Sequence, residues 1–522
     1  MKLSGMKLPG MKLSGMALFC GGLFCAGLAL FATEPNEATE RWWLHVLALA
    51  NDGMEGRDTG SEGYRKAERY VIAEFEKAGL KPAGEKGYAQ PVALHEVRLQ
   101  TAESPVELVR PDGVTKLEWL RQISVPARLG LPETLDAGLV FLGDGPANGA
   151  APLDAHGKIV VQMPGRRTAA TGAPAGASAI QGIAGAIAID TTVGPEPPHW
   201  PVPYSMSMTL AETPRLPSNA PPTFRFNPAT AEELFRGSGH TFEELQKLAA
   251  AGQPLPQFAL PARLHATMKL TTADLTSDNI AAVLPGSDPK LADEYVVVSA
   301  HLDGYGIGEP RGGDKIYNGA FDDAAYVATL IDFARKLHES GTKLRRSLLF
   351  LVLTGEEKGL LGSKYFALHP TVTKEKLVAD VNLDQLRPLF PLKTLTCIGL
   401  GESSLGETVR RVGAAMNIRI QPDPEPERRL MQRADNFSFM QIAVPAVGFV
   451  FGYQPGSPEE AIYRRWYAER YHSPADDIDQ PWDPPAAARF NEFFGKVVEA
   501  VSNADERPKW RPGSQFAHAD VR

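Results

Sequence analysis

Apolar runs in the second half of the chain end on side chains that bind metal ions. YVVVSA runs into His301, LLFLVLTG into Glu356 and Glu357, and VADVNLD closes on Asp384. Asp322 opens a helical stretch in NGAFDDAA, and His472 follows a Tyr/Arg-rich segment in RYHSPADD. Uninterrupted apolar runs predict strands buried on both faces, and helical periods between them predict an open α/β sheet with helices on either side. In such sheets the functional edge lies beyond the carboxyl ends of the strands. Two imidazoles and three carboxylates delivered there suit a pair of zinc ions sharing one carboxylate, a hydrolytic arrangement.

Each element has a plainer explanation. A strand-end His-x-Asp is commonly a hydrogen-bonded turn, Asp322–Asp323 an N-cap, and an exposed Glu-Glu pair solvated charge. Their joint occurrence outweighs these explanations, because several unpaired carboxylates crowd together at high cost unless cations neutralise them.

The helical pattern over 324–337 places Val327, Leu330, Ile331, Ala334 and Leu337 on one face. Strands are expected at 279–284, 295–300, 347–353, 377–383, 394–398 and 446–451, with helices near 361–367 and 406–416. An earlier helix is expected over 63–78, where Ala67, Tyr70, Val71, Phe75 and Ala78 share a face before Gly79 and Pro82. From about residue 111 the texture changes to short strands (138–142, 158–163, 182–190) between loops rich in Pro, Gly and Ala. The stretch GPEPPHWPVP at 194–203 excludes regular helix or central strand. His156 and His199 sit in such loops without companion ligands and read as surface residues.

At 522 residues the chain exceeds what one core serves. The expected division is a signal peptide at 1–32, a first segment of the main domain at 33–112, a β-rich insertion at 113–262, a second main segment carrying the site at 263–505, and a tail at 506–522. Apolar residues make up 43% and charged residues 22%, the net charge is -8, and no Lys/Arg block occurs, which argues against nucleic acid as a partner. Lys2, Lys7 and Lys12 precede the apolar stretch 16–32, the layout of a secretory signal, and the run is short for a membrane span. The expected location is therefore periplasmic or extracellular, with no stable membrane association after cleavage. Cys20 and Cys25 fall in that stretch, leaving Cys397 as a buried small apolar residue without a disulfide partner.

The motifs MEGRDTGSEGYRKA, SDNIAAVLPGSDP, YVVVSAHLDGYGIG, YNGAFDDAAYVA, LTGEEKGLLGSKYF, VNLDQL and YHSPADDID together resemble the secreted co-catalytic zinc aminopeptidases. That family is related to bacterial leucyl aminopeptidase, aminopeptidase Y and glutamate carboxypeptidase. The segment LVFLGDG…LDAHGKIVVQMPG…GIAGAIAID resembles the protease-associated domain often inserted into these enzymes. The resemblance implies a doubly wound, mostly parallel sheet, two Zn2+ per chain and peptide substrates. It makes Asp322 the bridging carboxylate, with His301 and Asp384 on one zinc and Glu357 and His472 on the other. Glu356 matches the general base, and Asp303 the carboxylate that orients the ligand imidazole. The peptide after the bridge is commonly cis in relatives.

Three departures bear on substrate preference: HLDGYG lacks the second His of HxDH, Tyr326 replaces a common glycine, and Asn436 stands where His is frequent. Within the fold the rival readings are a carboxypeptidase, for which Arg428, Arg429 and Arg433 are candidate carboxylate donors, and a metal-free receptor-like ectodomain. Glutaminyl cyclase-like chemistry uses a single zinc, against which the five donors argue. For export, N-terminal sequencing of secreted protein is expected to begin between about residues 30 and 35. Recovery of intact Met1 in a membrane fraction would contradict it.

Overall fold

The computed structural model describes residues 37–143, 153–163, 181–191 and 196–517. The expected signal segment and the last residues of the tail lie outside these. Among the described residues no helix is long and apolar enough to cross a membrane.

The main sheet has ten strands. From one edge it runs Arg419–Gln421, Thr394–Ile398, Ala446–Phe451, Leu377–Leu383, Tyr295–His301, Ser347–Leu353, Leu270–Leu284, Ala89–Leu99 and Met206–Leu210, with Lys81–Pro82 also paired to Leu270–Leu284. Alternation along the central strands explains their apolar character. Leu348, Phe350 and Val352 enter the core on one face with Val296 and Val298, while Leu349, Leu351 and Leu353 enter the other with Val297. The first face is covered by the helices Glu37–Leu49, Glu62–Lys77, Ala325–Ser340 and Pro484–Ser502. The second is covered by Leu361–Leu368 and Asn436–Gln441.

The α/β class is as expected, but the sheet is mixed, not mostly parallel: its parallel part is the centre. Ser347–Leu353, Tyr295–His301, Leu377–Leu383 and Ala446–Phe451 are mutually parallel, and pairings on both sides of this block are antiparallel. In the main sheet the crossovers that parallel pairing needs are supplied where strand and helix alternate after residue 295. The long strands Ala89–Leu99 and Leu270–Leu284 flank the insertion instead and pair antiparallel over their length.

A second sheet of eight strands runs, in order, Gly113–Lys116, Val106–Arg110, Phe258–Thr267, Thr134–Phe141, Ile159–Gln162, Gly185–Ile189, Thr223–Phe226 and Ile123–Ser124. Its separate core is built on Phe141, Phe224, Phe226, Phe235 and Leu264. One strand of the 113–262 segment, Met206–Leu210, joins the main sheet beside Ala89–Leu99. Residues 196–205 thus pass from one sheet to the other. Cys397 is buried and free.

Helix boundaries follow local chemistry. Ser61 caps Glu62–Lys77 by accepting from Tyr64 N, and Gly341 ends Ala325–Ser340 in the left-handed region at φ 63°. Trp42 ties the first helix to Ala325–Ser340, its indole N–H lying 3.1 Å from both Ala325 O and Thr329 Oγ1.

Arg57, in the motif MEGRDTGSEG, is fully buried. Its guanidinium donates to Leu302 O at 2.8 Å, Leu49 O at 2.8 Å, Asn318 O at 2.6 Å and Gly319 O at 2.9 Å. Burial pushes Arg57 down to about 10, partly offset by Asp476 and Asp303. One cation therefore joins the end of the first helix, the turn after His301 and the turn before Asp322. Arg57→Met is expected to strand these carbonyls and cost about 3–5 kcal/mol, read as a lower Tm and denaturant midpoint. A change within about 0.5 kcal/mol would contradict the role.

Candidate metal centre

All five expected donors converge at the carboxyl edge of the parallel block, in two groups that share Asp322. One is His301, Asp322 and Asp384, and the other is Asp322, Glu357 and His472; within each group the ligand atoms lie within 4.8 Å of one another. His301 Nε2 is 3.3 Å from Asp322 Oδ1 and 4.0 Å from Asp384 Oδ1. His472 Nε2 is 3.4 Å from Asp322 Oδ2 and 3.3 Å from Glu357 Oε2. His301 Nε2, Asp322 Oδ2 and Asp384 Oδ1 are buried without a hydrogen-bond partner. Buried polar atoms of that kind require a ligand, and a mixed imidazole–carboxylate set fits divalent transition ions such as zinc.

The electrostatics agree. Burial and the neighbouring charge of Asp322 push Asp384 up to about 7. Burial, reinforced by Asp384 and Glu357, raises Glu356 well above the carboxylate range, with His301 opposing. Burial would also raise Asp322, but the two imidazoles hold it below its ordinary range. Burial alone would depress His301, yet Asp323, Glu356 and Asp322 lift it well above 6.5. Cations among these carboxylates would replace the protons that such crowding otherwise draws in.

Neighbouring groups hold the donors in place. Asp476 accepts from Phe321 N at 3.0 Å and Asp322 N at 3.1 Å, and the Asp322–Asp323 peptide is cis. Asp323 accepts from His301 N and from Gln385 N, both at 3.2 Å, bracing two strand ends. His301 Nδ1 lies 3.0 Å from the Asp303 main-chain oxygen; a carbonyl only accepts, so Nδ1 carries the proton and Nε2 faces the donor cluster. His472 Nδ1 lies 3.0 Å from the Tyr305 hydroxyl, and its ring stacks on Tyr471 with centroids 3.6 Å apart.

The role expected of Asp303 is corrected here. Its carboxylate stands 3.8 Å from His301 Nδ1 and is engaged elsewhere. It accepts from Glu356 N at 3.0 Å, Glu357 N at 3.3 Å and the Thr59 hydroxyl at 3.0 Å. Asp303 thus orients the imidazole through its backbone and shapes the Glu356–Glu357 turn through its side chain. Thr59 explains part of the N-terminal motif.

A cavity of about 360 Å³ adjoins the centre, lined by Tyr305, Glu356, Gln385, Phe449, Arg433 and Tyr471 among others. One of the noted departures reaches it, Asn436, whose buried carboxamide has no hydrogen-bond partner; Gly304, where the second His of HxDH would stand, does not line it, although its neighbour Tyr305 does. Tyr326 does not line it. It is buried behind the sheet, packing on Phe490 and donating to Phe449 O at 3.3 Å. His156 is exposed, as expected. His199 is not a free surface residue: it is half-buried, 3.1 Å from Arg311 Nη1 and edge-on to Tyr471.

Sequence reasoning passed over Lys358, next to the Glu pair. Its side chain is 3% exposed and pairs with Asp58 Oδ1 at 3.0 Å, while donating to Tyr204 Oη at 2.6 Å and Gly304 O at 3.1 Å. The ammonium also lies over the rings of Tyr204 and Tyr305.

Residues 279–498 match the model of Peptidase family M28. Among curated proteins the chain is 30% identical over 118 residues to Carboxypeptidase Q of Xenopus laevis, covering 22% of this chain and 23% of that protein. It is 21% identical over 250 residues to Leupeptin-inactivating enzyme 1 of Streptomyces exfoliatus, covering 48% of this chain and 49% of the other. The matched stretches thus span between about a quarter and a half of these relatives' length. Two solved structures share the fold over nearly the whole chain. One is an aminopeptidase from Aneurinibacillus sp. strain AM-1, with TM-score 0.57, 18% identity, and coverage of 90% of this chain and 95% of that one. The other is a zinc aminopeptidase from Bacillus subtilis, with TM-score 0.55, 17% identity, and coverage of 91% and 97%.

Lys358→Met leaves Asp58 buried without its cation and is expected to cost about 3–5 kcal/mol in unfolding. Adding Asp58→Asn should recover part of that loss, and equal Tm values for the single and double variants would contradict the pairing.

Proposed function

We propose that this protein is an exported zinc-dependent exopeptidase, and within that class an aminopeptidase that removes N-terminal residues from peptides. The observation that carries the reading is the sharing of Asp322 between two three-residue donor groups beside a cavity containing Glu356. His301, Asp322 and Asp384 would hold one zinc, and Asp322, Glu357 and His472 a second. Such a pair supplies Lewis acidity to a peptide carbonyl and lowers the pKa of water.

Glu356 takes the proton of the attacking water and returns it to the departing amine. Asp303 keeps the two adjacent glutamates on divergent tasks by holding both their backbone N–H groups. Tyr305 and Tyr471 confine His472, and Tyr471 also walls the cavity. The second sheet acts as a protease-associated access module, its loop 196–205 packing beside the site.

One observation favours aminopeptidase over carboxypeptidase action. Among the arginines that could grip a free carboxylate, Arg428 and Arg433 are both paired with Glu196, and Arg429 is exposed. The likeness to Carboxypeptidase Q over 118 residues favours the second reading, a carboxypeptidase. The ectodomain reading is disfavoured because all five donors and Glu356 are retained.

Unblocked aminoacyl chromogenic substrates should be cleaved, N-blocked ones should not, and chelator should abolish turnover. Glu356→Gln should keep both zinc equivalents by elemental analysis and lose about 10²–10⁴-fold in kcat. Wild-type turnover in that variant would remove the base assignment; cleavage of N-blocked peptides alone would favour the carboxypeptidase.

A further inference from the structure

Arg433 lines the catalytic cavity, and its charge is already answered by a residue from the segment that joins the two sheets. Glu196 places Oε2 2.7 Å from Arg433 Nη1. Its other oxygen pairs with Arg428, which is 5% exposed and also bonded to Glu425 and the Tyr463 hydroxyl, each at 3.0 Å. Arg433 Nη2 donates to the Tyr471 hydroxyl at 3.2 Å, and Tyr471 stacks on His472. Arg433 therefore stands at the cavity wall, one aromatic ring away from the donor cluster, with Glu196 paired to it from the connecting loop.

The carboxylate is held between two guanidinium groups. Glu196 is followed by Pro197 and Pro198, which restrict the backbone and reduce the entropy lost in holding one geometry. The loop is pinned on both sides. Trp200 Nε1 donates to Asp190 Oδ2 at 3.1 Å, Glu309 N donates to Pro203 O at 2.8 Å, and Tyr204 stacks on Tyr305 with centroids 5.9 Å apart. Locally the charges close: Arg428, Arg433 and Arg464 face Glu196, Glu425 and Glu460.

We propose that Glu196 is a specificity-determining residue that disfavours substrates carrying a free carboxylate close to the scissile bond. The inference rests on the exopeptidase reading. Glu196 occupies the Arg433 Nη1 position that a substrate carboxylate would use, and its charge offsets the attraction Arg433 would otherwise exert on that carboxylate. Longer or C-terminally amidated peptides lack that charge near the site and are unaffected. The insertion, by this device, sets which peptides the main domain accepts.

The test uses the full-length mature protein with zinc and two substrates that differ only in the terminal group, leucyl-glycine and leucyl-glycinamide. Glu196→Gln should raise the ratio of kcat/KM for the free acid over the amide about tenfold, chiefly through KM, because Arg433 gains a free hydrogen-bonding face. Adding Arg433→Met should return the ratio to its starting value. Arg433→Met alone, which leaves Glu196 less compensated, should lower the ratio and keeps the test decisive if Glu196→Gln does not fold. Calorimetric binding of leucyl-glycine in the Glu356→Gln background should show the same order of affinities. An unchanged ratio in Glu196→Gln protein with normal Tm and zinc content, or a gain that survives loss of Arg433, would overturn the inference. If the wild-type protein cleaves neither substrate nor any longer peptide, the exopeptidase reading falls and takes this inference with it.

Discussion

Asp322 is the constraint around which the rest of the site is arranged. One carboxylate stands between two imidazoles, within 3.4 Å of each, and the next carboxylates on either side belong to Asp384 and Glu357. Packing this much negative charge into a buried edge is unfavourable unless cations share it. The protein accordingly spends buried groups to keep the arrangement from relaxing: Asp476 on the backbone of Asp322, Asp323 across two strand ends, and Asp303 beneath the glutamate turn. Arg57 ties the surrounding turns to the first helix.

The second sheet bears on this centre through side chains that cross between the layers. Tyr204 joins Lys358 and Tyr305, Tyr305 meets His472, and Glu196 meets Arg433. These contacts come from the connection that leaves the second sheet and enters the main one at Met206. The insertion is therefore in packing and electrostatic contact with the edge that carries the donors.

Much of the fold was legible because burial on both faces leaves a direct trace in sequence. The strands Ser347–Leu353, Leu377–Leu383 and Ala446–Phe451 fall where apolar runs indicated, and the helix Ala325–Ser340 follows its periodic face. The antiparallel margins were less visible. Leu270–Leu284 begins with the half-exposed LTTADLT, whose polar residues hide a strand that pairs antiparallel with Ala89–Leu99. In the site, His199 was read from its Pro-rich surroundings as a surface residue, since composition does not reveal that Tyr471 and Arg311 close over it.

The amino-acid sequence by itself determined the donor chemistry. His301, Glu357 and Asp384 each follow a strand closely, so strand ends and ligand types could be read from local patterns. Asp322 and His472 completed the set by residue type and order. Tertiary structure alone decided who partners whom. Arg433 and Glu196 are 237 residues apart, Lys358 and Tyr204 154, and Arg57 and Leu302 245. No periodicity encodes such pairs: charge and hydrogen-bonding capacity are properties of a residue, whereas their satisfaction depends on which distant surface folding brings against it.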